Sequence, residues 1–189
     1  VPVQNAQRTT VVPGPINWSL RLMVKGLGGN LARVLMLFLL PLSLLECEEV
    51  QAFCFQTAGA RYQIDPQLLR AMAKGESGLN PRAMHINKDK AGKPKSTDYG
   101  LMQINSRHIP RLKAQGVILG KDDLLMKPCL NVQIGAWILA KHFQTCGVNW
   151  NCLGSYNAGF GMERHEIREH YADRIWRIYQ AQRNNEREK

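Results

Sequence analysis

The sequence predicts a mainly α-helical fold with a short hairpin or loop inserted after an early helix. Three stretches carry that prediction. Asp65-Pro66 offers an N-cap followed by proline at the first helical position, with Leu68, Leu69, Met72 and Ala73 at helical spacing behind it. Pro128 to Thr145 reads as a longer helix, its apolar face made by Val132, Trp137, Ile138, Ala140 and Phe143. Glu163 to Gln182 reads as a third, with Ile167, Tyr171, Ile175, Ile178 and Tyr179 on one side.

The remaining elements fall between these. The early helix should stop near Glu76-Ser77-Gly78, since glycine and then Asn80-Pro81 end it. Residues 82–98 hold Gly92, Pro94 and four lysines (Lys88, Lys90, Lys93, Lys95), the composition of a loop or short hairpin. Ser106 to Gln115 suits a helix stopped by Gly116, and Asn149 can cap a short one from Trp150 to Tyr156. The tail, Arg183 to Lys189, is polar throughout and is expected to fray. Trp137, Trp150 and Trp176 lie in helical patterns and are expected in the core.

The first 52 residues read differently. Val34 to Leu45 is an apolar run, preceded by Lys25 and Arg33 and followed by Val50-Gln51-Ala52. That order fits a secretory signal peptide cleaved after Ala52. A membrane span needs roughly 20 apolar residues, and Pro41 with Glu46, Glu48 and Glu49 ends this run too soon. Residues Val1 to Leu22 lack periodicity; Met23 would open a signal of ordinary length, with the upstream piece a dispensable extension. The expected organisation is thus 1–52 extension and signal, 53–182 a single domain, and 183–189 a polar tail.

Removing residues 1–52 takes Cys47 with them and leaves Cys54, Cys129, Cys146 and Cys152. An even set of four in an exported chain fits two disulfides. Three pairings are open. The favoured one joins Cys146 to Cys152 across a short loop and Cys54 to Cys129, tying the first helix to the long one. No CxxC pair is present, so a structural zinc is not expected. His165-Glu166-Ile167-Arg168-Glu169-His170 places its histidines five apart, off the i, i+4 spacing of a helical metal site. Neither metal nor cofactor is expected.

From Phe53 onward the chain has 21 Lys and Arg against 12 Asp and Glu, a net charge of +9. The basic residues are scattered and no nucleic-acid motif accompanies them. In an exported protein such charge points to an anionic envelope polymer or a membrane surface.

Three stretches hold residues suited to chemistry. In Lys74-Gly75-Glu76-Ser77-Gly78-Leu79-Asn80, Glu76 ends an apolar helix. A carboxyl against apolar surface has its charged form disfavoured, so it can keep a proton near neutral pH and protonate a leaving-group oxygen. In Gly100-Leu101-Met102-Gln103-Ile104-Asn105 two amides sit two positions apart. In extended structure both would face one way, as a groove for hydroxyl- and acetamido-bearing sugars needs. Ser155-Tyr156-Asn157-Ala158-Gly159 adds an amphipathic aromatic and a further amide.

In this order, "GESGLNP", "YGLMQIN" and "SYNAGFG" resemble the soluble lytic transglycosylase (SLT) domain of the lysozyme-like superfamily. The similarity extends to the small exported transglycosylases that accompany conjugation, pilus and type III or IV secretion machinery, and it covers roughly Phe53 to Tyr179. It implies a mainly helical, lysozyme-like α+β fold, a periplasmic location in a Gram-negative envelope and peptidoglycan glycan strands as substrate. Secretion, conjugation or pilus components are then possible partners, with a monomeric enzyme, no nucleic acid and no membrane span after cleavage. Carried over by motif, Glu76 is the catalytic acid. Ser77, Met102, Gln103, Asn105, Tyr156 and Asn157 fall among the substrate contacts, and Tyr171 matches the family's C-terminal tyrosine less closely.

One departure stands out. "STDYGLMQINS" places Asp98 just ahead of the shared segment, where many such transglycosylases have no acid. This stretch resembles C-type lysozymes, whose second carboxylate aligns with Asp98; these are the standard example of paired carboxylates. Asp98 is therefore a candidate catalytic residue, with the nearby lysines as its expected counter-charge. Two alternatives accompany the transglycosylase reading: a muramidase that hydrolyses the same bond with Glu76 and Asp98, and a non-catalytic wall-binding assembly protein.

Overall fold

The computed structural model describes residues 54–187, and the expected signal peptide and its cleavage site lie outside them. Helix α1 spans residues 54–62. Helix α2, Pro66–Ser77, starts where the sequence indicates: the Asp65 carboxylate accepts a 2.8 Å hydrogen bond from Gln67 N–H, and Pro66 opens the first turn. It ends at Gly78, whose φ of 63° lets the chain turn sharply just past Glu76.

Residues 82–98 resolve as a hairpin. Strand β1, Met84–Lys88, pairs antiparallel with β2, Pro94–Tyr99, which pairs in turn with the two-residue β3, Ile104–Asn105. Opposite residues share a face of a sheet. Because Asp98 faces His85 and Asn105 while Tyr99 faces Met84 and Ile104, successive β2 side chains alternate. Tyr99 and Ile104 enter the core, and Asp98 and Asn105 share the other face.

The expected extended segment from Gly100 to Asn105 is only partly a strand. Residues 100–103 form a turn, with φ of 74° at Gly100 and 46° at Gln103. The reason is packing. Leu101 and Met102 are fully buried, and the chain must fold back to bury both before β3 begins.

A 3₁₀ turn, Ser106–His108, then leads into α3, Ile109–Ala114, in place of one continuous helix. Short α4, Asp123–Met126, precedes α5, Pro128–Cys146, the central helix, which buries Val132, Ile134, Ala136 and Leu139. Helix α6, Trp150–Ala158, is capped as expected: the Asn149 side chain accepts a 2.8 Å bond from Cys152 N–H. A second 3₁₀ turn, Met162–Arg164, leads to α7, His165–Arg187.

Helix α7 corrects the expectation for the tail, which continues as helix through Arg187. Two contacts support it: Gln67 donates a side-chain hydrogen bond to Glu186, and the Arg183 guanidinium lies over the Tyr179 ring at 5.6 Å. Two of the tryptophans also depart from expectation. Trp150 and Trp176 are 39% and 41% exposed and form an edge-to-face pair on the surface, while Trp137 is half-buried beneath Arg111 and Lys141. A stretch can be helical and amphipathic without its largest aromatic falling on the inner face.

Two disulfides fix the frame. Cys54–Cys129 ties α1 to α5 with Cα atoms 4.9 Å apart, and Cys146–Cys152 joins α5 to α6 at 5.6 Å. These are the two pairings favoured from the sequence. No helix among the described residues is long and apolar enough to cross a membrane.

Candidate active site

Glu76 occupies the last turn of α2, and its surroundings follow from how closely α7 approaches. A Cβ at Gly75 would lie 2.6 Å from Ile175 Cδ1, so the glycine lets the α7 side chains pack directly on the α2 backbone. Tyr171, one turn before Ile175 and almost fully buried, then meets the carboxyl: its hydroxyl donates a 2.6 Å hydrogen bond to Glu76 Oε1. Arg174 reinforces the junction. Its guanidinium donates to Gly75 O at 2.8 Å and lies over the Tyr171 ring at 5.2 Å.

Burial pushes the Glu76 carboxyl above its ordinary range, and the negative charge of Asp98 adds to the rise. The Tyr171 hydrogen bond and the positive charge of Arg174 oppose it, and the net direction remains upward. A carboxyl at a helix C-terminus is also ill placed to carry negative charge. The outcome is a carboxyl that holds its proton above the usual range while facing open space, as proton donation to a substrate requires. Burial also pushes the Tyr171 and Tyr156 phenols well up, so both remain protonated donors.

That open space is a cleft of about 470 Å³ lined by Glu76, Asp98, Gln103, Asn105, Tyr156 and Asn157, among others. It runs between the hairpin and the helices. The pleat delivers Asp98 to it, with Asn87 and Asn105 on the same face. Asn87 Nδ2 donates to one Asp98 oxygen at 2.7 Å and Asn105 Nδ2 to the other at 2.6 Å. The expected lysine counter-charge is replaced by these amides. Lys88 and Lys95 line the cleft, but none of the ion pairs among the described residues joins either to Asp98. Asp98 is thus an oriented carboxylate on the wall opposite α2.

The turn at residues 100–103 is held by three helices at once. Asn131 of α5, fully buried, donates to Tyr99 O at 2.8 Å and Leu124 O at 2.9 Å and accepts from Met102 N–H at 2.8 Å. Ser77 of α2 donates to Leu101 O at 2.9 Å, and Tyr156 of α6 donates to Met102 O at 2.8 Å. Gln103 is anchored through its amide nitrogen, which donates to Gly100 O at 2.8 Å.

Two expected substrate contacts are corrected by this arrangement. Met102 is fully buried, its side chain packed where a Cβ at Gly135 would come within 2.7 Å. It belongs to the core under the cleft. The Ser77 hydroxyl is spent on Ala73 O and Leu101 O, so it ties α2 to the turn. Tyr171 is likewise placed behind Glu76 and is not among the residues lining the cleft. Gln103, Asn105, Tyr156 and Asn157 do line it.

Sequence reasoning missed Asn87, Asn131 and Arg174. An amide within an otherwise apolar run, as in Leu130-Asn131-Val132, is the one signal that could have pointed to Asn131. Asn87 depends on hairpin register, which the local sequence does not display. Among the described residues no group of three or more His, Cys, Asp or Glu is arranged to hold a metal.

Known proteins match this architecture. Residues 53–179 match the model of the transglycosylase SLT domain. The chain is 45% identical over 147 residues to a peptidoglycan-binding-like protein of Escherichia coli O157:H7, covering 78% of this chain and 88% of that one. It is 39% identical over 142 residues to the invasion protein IagB of Salmonella typhimurium, covering 75% and 84% respectively. Among solved structures, an inactive mutant of the lytic transglycosylase Slt from Pseudomonas aeruginosa superposes with a TM-score of 0.50. At 16% identity, over 66% of this chain and 22% of that one, it shares the fold. The chain belongs to the transglycosylase SLT domain family, the peptidoglycan lytic transglycosylases of lysozyme-like fold.

Proposed function

We propose that the protein cleaves the MurNAc–GlcNAc β-1,4 bond of peptidoglycan and releases a 1,6-anhydro-muramic product, with Glu76 as both acid and base. The carrying observation is the Glu76 carboxyl, raised by burial, hydrogen-bonded by Tyr171 and facing an amide-lined cleft. Glu76 gives its proton to the glycosidic oxygen as the bond to the muramic anomeric carbon breaks. The oxocarbenium-like charge left on that carbon is stabilised by Asp98 or by the substrate's own acetamido group. The Glu76 carboxylate then takes the proton of the muramic 6-hydroxyl, whose oxygen closes on the anomeric carbon. Gln103, Asn105, Tyr156 and Asn157 line the glycan path, and no metal enters.

General acid–base catalysis of this kind is worth about 10²- to 10⁴-fold, so Glu76→Gln should abolish nearly all turnover. Mass spectrometry of digested sacculi identifies the product, since an anhydro muropeptide is one water lighter than a hydrolysed one. Near-normal turnover by the variant would end the assignment.

One observation favours a second reading. Asp98 is held on the cleft wall by two amide donors, an oriented second carboxylate of the kind a muramidase uses. Under that reading water, in place of the 6-hydroxyl, captures the anomeric carbon, and the same mass measurement returns the heavier product.

The setting of the activity is part of the proposal. The similarity to an invasion protein and to a peptidoglycan-binding-like protein supports an enzyme that opens the wall locally for a secretion, conjugation or pilus apparatus. Export to the periplasm with cleavage after Ala52 completes it. N-terminal sequencing of exported protein should find Phe53 first, and a start elsewhere would refute the processing step.

A further inference from the structure

A separate groove of about 290 Å³ opens between α1, α3 and α5 and shares no lining residue with the catalytic cleft. Its walls are Leu112 of α3 and Leu130, Ile134 and Trp137 of α5, with Tyr62 closing it at the end of α1. Leu112 and Ile134 are buried, which fixes the floor to the core. The rim is shaped by the turn after α3. Gly116, at φ 68°, reverses the chain, and Val117 N–H donates to Leu112 O at 2.9 Å. That bond holds the exposed Val117 side chain at the edge of the groove.

The charge around this groove is one-sided. The three helices that form it carry Arg61, Arg111, Lys113 and Lys141, and not one Asp or Glu. None of the ion pairs among the described residues involves any of these four cations. Three of them lie over the aromatic walls instead. Arg61 is 5.6 Å from the Tyr62 ring centroid, and Arg111 and Lys141 are 5.3 and 5.8 Å from that of Trp137. A cation resting on a ring face is held in place while its N–H donors remain available to a carboxylate. Tryptophan, tyrosine and arginine around an apolar concavity are also the residue types that dominate protein-binding surfaces.

Shape and charge together select the occupant. Sites for whole small molecules start at about 300 Å³, so this groove has room for one or two inserted side chains. Its concavity suits an inserted group better than a flat bilayer. Two copies of this chain meeting groove to groove would set like charges against each other. The complementary partner is an apolar side chain flanked by carboxylates, the pattern of an acidic amphipathic helix laid in a groove. We propose that the groove between α1, α3 and α5 docks such a helix from a partner protein, its apolar face in the pocket and its carboxylates on Arg61, Arg111 and Lys141. Docking here leaves the catalytic cleft open.

The probe is a synthetic, fluorescein-labelled helical peptide with leucine and phenylalanine on one face and glutamate on the other, titrated into the purified protein. Anisotropy should report saturable binding, and in NMR the Trp137 indole N–H should shift while those of Trp150 and Trp176 stay in place. The double variant Arg61→Glu, Arg111→Glu should bind at least about tenfold more weakly with an unchanged melting midpoint, through the loss of its charge-assisted contacts. Lys90→Glu with Lys93→Glu, an equal charge reversal on exposed hairpin lysines outside the groove, should bind like the wild type. Exchanging the peptide's glutamates for glutamine, or its apolar face for serine, should abolish binding. The docking groove is overturned by an absence of saturable binding, by binding that survives reversal of Arg61 and Arg111, or by an equal loss on reversing Lys90 and Lys93. Attachment to phosphatidylglycerol vesicles through Arg61 and Arg111, with no binding of the peptide, would also overturn it and assign these cations to a membrane surface.

Discussion

Tyr171 donates its hydroxyl to Glu76 Oε1 at 2.6 Å, and the bond works against the burial that raises the Glu76 carboxyl. A hydrogen bond to the charged form of an acid favours ionisation. Tyr171→Phe keeps the ring beneath Arg174 but removes that bond, so the Glu76 pKa should climb further. The acid must be protonated when substrate binds, so the alkaline limb of the kcat/KM profile follows this pKa. The limb should therefore move to higher pH in the variant. A lower rate at every pH with an unmoved limb would make Tyr171 a packing residue only.

Asp98→Asn should move the same limb the other way. The Asp98 charge disfavours ionisation of Glu76, and an amide of the same shape removes that charge. The Glu76 pKa then falls and the alkaline limb shifts to lower pH. The plateau rate separates two roles for Asp98. A fall as deep as that of Glu76→Gln assigns Asp98 to the stabilisation of the anomeric carbon. A shifted limb with the plateau retained limits it to tuning Glu76.

Glu76 should also cost the fold stability at neutral pH. Its folded-state pKa lies above the unfolded value, so the native state binds this proton more tightly. The associated stability is fully present below the unfolded value of 4.5 and is lost as pH rises through the folded pKa. Glu76→Gln cannot ionise and can still accept from Tyr171. Its Tm should exceed that of the wild type at about pH 8 and converge with it below about pH 4. A constant gap across that range would mean the difference does not come from this proton.

Much of the helical frame was legible because its signals are local. Asp65-Pro66 and Asn149 are capping groups whose partners lie two and three residues away, and both caps form where the sequence places them. Glu76 could be singled out by its place at the end of an apolar helix, without knowing what covers it. The unread features depend on tertiary contacts. The turn at residues 100–103 looks like the start of a strand until Leu101 and Met102 have to be buried together. Asn87 meets Asp98 only through the register of β1 on β2. The tail after Gln182 carries no apolar stripe, and it stays helical by leaning on Gln67 at the start of α2. Trp150 and Trp176 sit at helical positions that pattern alone could not assign to the inner or outer face.

The two disulfides should differ in worth by the loops they close. Loop-closure entropy gives about 4.5 kcal/mol for a loop of some 75 residues and about 2 kcal/mol for one of about 6; the sequence separations here are 75 for Cys54–Cys129 and 6 for Cys146–Cys152. Paired Cys→Ser replacement at 54 and 129 should therefore lower the denaturation midpoint about twice as far as at 146 and 152. Equal shifts would indicate that the unfolded chain is not constrained in this way.

Asn131→Ala should destabilise the protein and impair catalysis together, although Asn131 is not among the residues lining the cleft. The side chain is fully buried and makes three hydrogen bonds, to Tyr99 O, Leu124 O and Met102 N. Truncation strands all three backbone groups away from water, each costing about 1–3 kcal/mol, for a loss of about 3 kcal/mol or more. Relaxation is hindered because Gly100, at φ 74°, packs directly against this amide and Leu124 O. The strained turn carries Gln103 into the cleft and follows directly on Tyr99, the last residue of the strand that presents Asp98. Freed from α5, it should let both drift, so kcat/KM at low temperature, where the variant is still folded, should fall as well. A midpoint shift in urea without that kinetic loss would show that Ser77 and Tyr156 suffice to hold the turn.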